Sequence, residues 1–340
     1  MELPRPPWFP EVYAKLLSGI DLDAGEASAI FRDIVSGRLD ESLAAAIVTA
    51  LRIKGETPDE IAAAATALRE QMIRLVPVSG PVVDTCGTGG DDSGTFNIST
   101  AAALVIAAAG VPVVKHGGRA VSSRSGSADV LRELGVPIEN GPAWSQRCLD
   151  RIGFAFCYAP HFHSGMAHVS ALRRKLGVRT IFNLLGPLAN PASADYQLLG
   201  VGKVELLEPL AGAVAKLGTR RAVLVCGFDG LDEVSLATPT MVRIVERDTY
   251  RNEEWTPADF GLAPVRAEEL HADGSAASAA VIRRVLANEA GGPRRMVLAN
   301  AAAALWAADA VSTLREGVDR ADEALASGKA RTVLESLMRS

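Results

Sequence analysis

Cysteine is scarce in this chain: only Cys86, Cys148, Cys157 and Cys226 occur, none at Cys-x-x-Cys spacing. That argues against a disulfide scaffold and the common zinc modules, and three of the four lie in or beside apolar segments, as reduced buried thiols do. Long hydrophobic runs are also missing. Hydrophobic residues make up 48% of the chain, yet no run approaches the ~18 apolar residues that a membrane span needs. The N-terminal Met1-Glu2-Leu3-Pro4-Arg5-Pro6-Pro7 has no basic stretch followed by an apolar core. The expectation is therefore a soluble, cytoplasmic protein with no membrane partner. Basic blocks and interleaved basic and aromatic residues are absent too, and the net charge is −5. A nucleic-acid partner is not expected, and any phosphate site must concentrate its positive charge locally.

The 340 residues exceed what one core usually organises, which predicts a large α/β domain with a smaller second unit. Residues 1–78 carry only helical patterning, over 11–18, 24–36, 41–54 and 58–75. They predict a small all-helical N-terminal domain, with a further helical part contributed by about 165–190. Thr57-Pro58-Asp59-Glu60 reads as a helix start, with Thr57 as N-cap, Pro58 at the first helical position and Glu60 completing a capping box. From residue 79 to 340 the pattern changes to short β-branched runs alternating with helices. Strands are predicted at 82–86, 111–115, 154–159, 196–201 and 222–227, with a helix at 98–109 and alanine-rich helix from 276 to the end. Such alternation predicts an α/β fold with a mostly parallel central sheet, whose ligands bind beyond the carboxyl ends of the strands.

Two glycine turns fall at such ends. The first, Asp84-Thr85-Cys86-Gly87-Thr88-Gly89-Gly90-Asp91, runs into Asn97-Ile98-Ser99-Thr100 at the start of a helix. Gly87, Gly89 and Gly90 let backbone N–H groups converge, and the helix points its positive end at the same place, so an anion, most naturally a phosphate, is the expected occupant. The segment matches neither the P-loop nor the dinucleotide fingerprint. The second, Lys115-His116-Gly117-Gly118-Arg119-Ala120-Val121-Ser122-Ser123, continues through Arg124-Ser125-Gly126-Ser127 and brings cations and hydroxyls together. Taken alone it also reads as a solvated polar turn. Two such loops on one βαβ unit suggest a substrate with two phosphate ends.

Carboxylates follow in Asp229-Gly230-Leu231-Asp232-Glu233. Adjacent acids in a glycine loop hold Mg²⁺ shared with substrate phosphates, or form a solvated turn. Asp91 and Asp92 can add carboxylates near the metal. Three of the five histidines lie in His161-Phe162-His163-Ser164-Gly165-Met166-Ala167-His168, ahead of Arg173-Arg174-Lys175. The spacing suits zinc poorly. An aromatic or carboxylate-bearing substrate suits it better, with Arg173 pairing with a carboxylate and His163 orienting it or moving a proton. Arg174 and Lys175 read equally well as a surface of an amphipathic helix.

Together these motifs resemble the anthranilate phosphoribosyltransferase family of the tryptophan pathway. The resemblance is carried by Leu51-Arg52-Ile53-Lys54-Gly55-Glu56 and by residues 87–91, 97–100, 115–123, 179–191 and 229–233, and so spans nearly the whole chain. It implies a homodimer of subunits with a small helical and a large α/β domain, of the class resembling nucleoside phosphorylases and phosphoribosyltransferases. It further implies transfer of phosphoribose from 5-phosphoribosyl-1-pyrophosphate to anthranilate with Mg²⁺. Carried over by position, the donor falls on Gly87, Gly90, Asp91, Thr95, Asn97, Ile98, Ser99 and Thr100. It also falls on Lys115, His116, Gly117, Gly118, Arg119, Ala120, Val121, Ser122, Ser123 and Ser127. Ser99, Asp232 and Glu233 match the Mg²⁺ positions, and anthranilate would meet Gly87, position 118 and Arg173.

The chain departs from the family where Gly118 replaces a usual Asn, and where Ser164 and Ala167 replace a usual Pro and Lys. Lys115, Arg119, Arg173 and, more weakly, His116 are the expected catalytic groups. Direct displacement at ribose C1 needs no nucleophile from the chain, so positioning and stabilisation of the leaving charge should dominate. Two alternatives stand beside this expectation: a related phosphoribosyl or pentosyl transferase with another aromatic or nucleobase acceptor, and a non-catalytic nucleic-acid-binding paralogue.

Overall fold

The computed structural model describes residues 5–77, 80–91, 93–120 and 124–340, the side chains of Ala167 and His168 excepted. Four helices open the chain: α1 (Phe9–Leu17), α2 (Ala24–Val35), α3 (Glu41–Lys54) and α4 (Pro58–Glu70). Three of them begin at side-chain caps. The Asp23 carboxylate accepts from the Gly25 and Glu26 N–H groups at 2.8 and 2.9 Å, and Asp40 accepts from Ser42 N–H at 2.9 Å. At α4 the predicted capping box is present: Glu60 N–H donates to Thr57 Oγ1 at 3.3 Å and Thr57 N–H to Glu60 Oε2 at 2.8 Å. Glu60 is buried, and its carboxylate also accepts from Leu22 N–H and Lys54 Nζ, each at 3.0 Å. One acid thus joins three segments of the helical unit, which compensates its desolvation.

The helix predicted over 58–75 stops at Glu70. Beyond it the backbone is claimed by other elements: Ile73 N–H donates to Phe162 O at 2.8 Å and Leu75 N–H to Pro191 O at 3.1 Å. The chain then enters the sheet region through β1 (Val83–Gly87), α5 (Ile98–Ala108), β2 (Val113–Gly117), α6 (Ser127–Glu133), α7 (Gly141–Ile152) and β3 (Phe154–Tyr158). Two short helices follow, α8 (Ala159–Phe162) and α9 (Met166–Leu176). Val169, Leu172, Ile181, Phe182 and Leu185 lie buried in one cluster with Ile30, Phe31, Ile47 and Leu51 of the first helices. Phe182 meets Phe31 edge-on with ring centres 6.2 Å apart. Full burial of each such side chain stabilises the fold by roughly 1.5–3 kcal/mol relative to exposure.

The remaining elements are β4 (Tyr196–Gly200), α10 (Leu207–Lys216), β5 (Arg221–Gly227), β6 (Thr240–Glu246), β7 (Thr249–Trp255), and α11 (Gly274–Leu286), α12 (Gly292–Ala307), α13 (Leu314–Ala326) and α14 (Lys329–Arg339). The sheet has seven strands in the order β3-β2-β1-β4-β5-β6-β7. The first five run parallel, while β6 and β7 are antiparallel. Neither is among the predicted strands, although β6 reads Thr-Met-Val-Arg-Ile-Val-Glu, a β-branched run that does signal a strand; β7 carries no sequence signal of comparable strength. β7 reads Thr-Tyr-Arg-Asn-Glu-Glu-Trp and is exposed except at Trp255, so pairing with β6 rather than apolar burial makes it a strand. α5, apolar around nearly its whole circumference, packs against β1, β2, α12 and α14 and is buried accordingly.

Strand order reverses beside β1: β2 and β3 extend the sheet one way, β4 and β5 the other. A crevice opens at the carboxyl ends of strands at such a switch point.

Candidate active site

The loops leaving β1, β2 and β5 meet at that crevice in a cavity of about 510 Å³. The β1 loop and the start of α5 supply Gly87, Gly90, Asp91, Thr95, Asn97, Ile98 and Ser99. The β2 loop supplies Lys115, His116, Gly117 and Gly118, with Ser127 from the start of α6. Asp232 and Glu233 come from the loop after β5.

The acidic pair is built into the glycine loop. Gly89 N–H donates to Asp232 Oδ2 at 2.9 Å, and Ser99 N–H donates to Glu233 Oε1 at 2.9 Å. A Cβ on Gly87 or Gly200, the paired ends of β1 and β4, would overlap Asp232. Burial pushes the Asp232 carboxyl well above the usual carboxylate range, and neighbouring Asp91 and Glu233 push the same way. Burial raises Glu233 as well, against the pull of Lys115. Among the described residues no three His, Cys, Asp or Glu side chains converge as a complete metal cage. Crowded carboxyls without a full protein ligand set fit Mg²⁺, which commonly takes one or two carboxylates and completes its shell with water and phosphate oxygens. Asp229 has another job: its carboxylate accepts from Leu231 N–H at 3.2 Å and Ser235 Oγ at 3.0 Å and builds the turn.

Lys115 is buried, with its ammonium donating to Thr85 O and, at 3.3 Å, to Ser99 Oγ. Burial lowers its pKa, opposed by Asp84 and then Cys86, Glu233 and Asp232. Asp84 is itself fully buried, accepts from His116 N–H at 3.3 Å, and is raised by burial. His116 Nδ1 lies 2.9 Å from Gly186 O. A carbonyl only accepts, so Nδ1 carries the hydrogen and the neutral ring leaves Nε2, buried without a described partner, as a base. Burial lowers the pKa of His116, and that of His163 down to about 3, with neighbouring His116 adding to the effect. The two rings lie 4.9 Å apart. His163 does not line the large cavity, and its ring, buried beside His116, is held neutral.

Several expected contacts fall elsewhere. Arg119 does not line the cavity: its exposed guanidinium meets Glu139 at 2.8 Å, an outward carboxylate twenty residues on. Ala120 likewise stands off, its N–H donating to Asp129 Oδ2 at 2.9 Å. Thr100 is fully buried and does not line the cavity. Asn97 borders the cavity, but its side chain is engaged with Ser125 and Ser278 at 2.8–3.2 Å, stapling the two glycine-rich loops and α11 together. Arg173, in the last turn of α9, is half-buried, and burial followed by the charge of Arg179 lowers its pKa. It forms no ion pair among the described residues. Asp92, Val121, Ser122 and Ser123 lie outside the described residues, as do the side chains of Ala167 and His168.

The lining residues that had not been proposed as ligands include Arg124 and His271. Arg124 borders the cavity while paired with Asp273 at 2.9 Å. His271 arrives by an antiparallel bridge between Thr95 and His271, with Ala272 N–H donating to Gly94 O at 3.0 Å. Nothing in the local sequence around residue 271 signals that approach.

Both parts of the chain match models of a glycosyl transferase family, its helical bundle domain over residues 10–72 and its a/b domain over 79–331. The chain is 47% identical over 323 residues to an anthranilate phosphoribosyltransferase of Symbiobacterium thermophilum, with 95% of each chain covered. It is 47% identical over 326 residues to that of Chromobacterium violaceum, again covering 95% of each. The crystal structure of the Thermus thermophilus anthranilate phosphoribosyltransferase aligns with a TM-score of 0.90 at 42% identity, over 97% of this chain and 99% of that one. The Saccharomyces cerevisiae enzyme in complex with PRPP and Mg aligns with a TM-score of 0.87 at 30% identity, over 97% of each.

Proposed function

This chain belongs to the anthranilate phosphoribosyltransferase family, and from that premise we propose that it transfers the phosphoribosyl group of 5-phosphoribosyl-1-pyrophosphate to the amino nitrogen of anthranilate. The products are N-(5-phosphoribosyl)anthranilate and pyrophosphate, in tryptophan biosynthesis. The observation that carries this reading is the meeting of two glycine-rich anion loops and a buried acid pair in one cavity. A donor with phosphate at one end and pyrophosphate at the other matches that arrangement.

In the reaction the amine nitrogen forms a bond to ribose C1 as the C1–O bond breaks, and the electron pair leaves with pyrophosphate. The nitrogen then sheds a proton. An aromatic amine is already neutral under ordinary conditions, so the chain supplies position and charge rather than a nucleophile. N–H groups of the glycine loop and the start of α5 bind phosphate oxygens, and Lys115 contributes the buried positive charge. Ser99, Asp232 and Glu233 hold Mg²⁺, which when bound neutralises charge building on the leaving group. Arg173, which stands off the lining of the large cavity, pairs with the anthranilate carboxylate as the acceptor enters, and His116, with its buried Nε2 unprotonated, is the weaker candidate for taking up the proton. Arg119 acts only at the rim, on release of Glu139.

Fluorescence-monitored consumption of anthranilate, with donor and Mg²⁺ omitted in turn, tests the proposal. Consumption that needs both additions supports it, and donor binding without consumption would overturn the acceptor. The same reading takes the protein to be a cytoplasmic homodimer, which light scattering of the purified chain tests for its oligomeric part.

A further inference from the structure

The glycine loop has a second side. Gly89 and Gly90 border the large cavity, but Arg179 does not; it lines instead a small cavity of about 60 Å³ with Arg52, Glu56, Asn183 and Lys203. From there its guanidinium reaches the loop from behind. Nη2 donates to Gly89 O at 3.0 Å and Nη1 to Gly90 O at 3.2 Å. The two glycines adopt φ of +66° and +72°, and a Cβ on Gly90 would overlap the Arg179 guanidinium. The fork of one arginine therefore grips two successive carbonyls in a left-handed stretch that only this close approach and the absence of side chains allow.

Two physical effects follow. A cation on the carbonyl side polarises the peptide groups, which strengthens the N–H donors they carry. It also offsets the repulsion that backbone carbonyls would exert on an anion bound across the loop. Arg179 has no carboxylate partner among the described residues, and the half-buried Arg173 is near enough to feel its charge.

We propose that Arg179 is a positioning residue for the donor's phosphates, holding Gly89 and Gly90 in their anion-binding conformation without touching the donor. This rests on the donor half of the function proposed above. The test uses the full-length protein, with isothermal titration of 5-phosphoribosyl-1-pyrophosphate in Mg²⁺ buffer and steady-state kinetics for both substrates. Arg179→Gln is expected to weaken donor binding and raise the donor KM on the order of tenfold, with the anthranilate KM within about twofold. Arg179→Lys keeps the charge but not the fork, and is expected to lose roughly threefold or more; it answers the question if the Gln variant does not fold. Unchanged donor affinity in a folded variant, or equal losses for both substrates, overturns the inference. A wild-type protein that binds no donor overturns the function with it, whereas wild type that binds donor without consuming anthranilate sinks only the acceptor assignment.

Discussion

Gly89 and Asp232 are 143 residues apart in sequence, yet the backbone N–H of one donates to the carboxylate of the other at 2.9 Å. That bond joins the loop proposed to hold phosphate to the acids proposed to hold metal, so neither can move far without the other. Metal and donor binding should be coupled through it.

Replacing the acid pair, as Asp232→Asn with Glu233→Gln, should reduce turnover on the order of 100-fold or more. It should also flatten the dependence of rate on Mg²⁺ concentration. An unaltered Mg²⁺ titration would sink the metal assignment.

The same pair predicts a pH effect. Both carboxyls are raised in the folded protein, chiefly by burial, so between the ordinary carboxylate range, about pH 4, and their raised folded values the native state holds more protons than the unfolded one. Stability of the metal-free protein from these groups should then be full at low pH within that window and fall as pH rises through it. Mg²⁺ replaces the protons, so its stabilising effect should grow with pH. Thermal melts with and without Mg²⁺, in wild type and in the Asn/Gln variant, measure this; an Mg²⁺ shift that does not grow with pH in wild type contradicts it.

Lys115 and Asp84 are both buried, and each favours the charged form of the other. Lys115→Met should destabilise the protein, because it removes the cation that favours the charged form of Asp84 and takes the ammonium donor away from Thr85 O. Adding Asp84→Asn should recover a substantial part. Chemical denaturation of the two single variants and the double variant reads the coupling, and strict additivity would show that the pair does not interact.

Arg173→Ala should raise the KM for anthranilate on the order of tenfold or more while the donor KM holds, the signature of a lost charge-assisted pair with one substrate. Gly118→Asn tests the other side of the acceptor question. A Cβ there would meet no atom within 4 Å, so the variant should fold with unchanged stability and act only on the kinetics of anthranilate. A melting temperature lowered by several degrees would mean that the site is tighter than its geometry.

What the sequence determined by itself is local. The Thr57–Glu60 capping box and the strand, glycine turn and helix from Val83 to Ala108 depend on signals within a few residues and form there; Lys115 to Gly118 and the Asp232–Glu233 pair, equally local in sequence, reach the same cavity. Tertiary structure decided the rest. α4 stops at Glu70 because Phe162 and Pro191 take the backbone bonds that would have continued the region's structure. β7 exists because β6 offers it a ladder. Arg119 turns away to Glu139, His271 is carried to the cavity from beyond the sheet, and Arg179 passes beneath the glycine loop. Caps and turns are closed by neighbours a few residues away, so composition announces them. A contact across 90 residues, such as Arg179 with Gly89, depends on how whole layers pack, and no pattern near either residue contains that information.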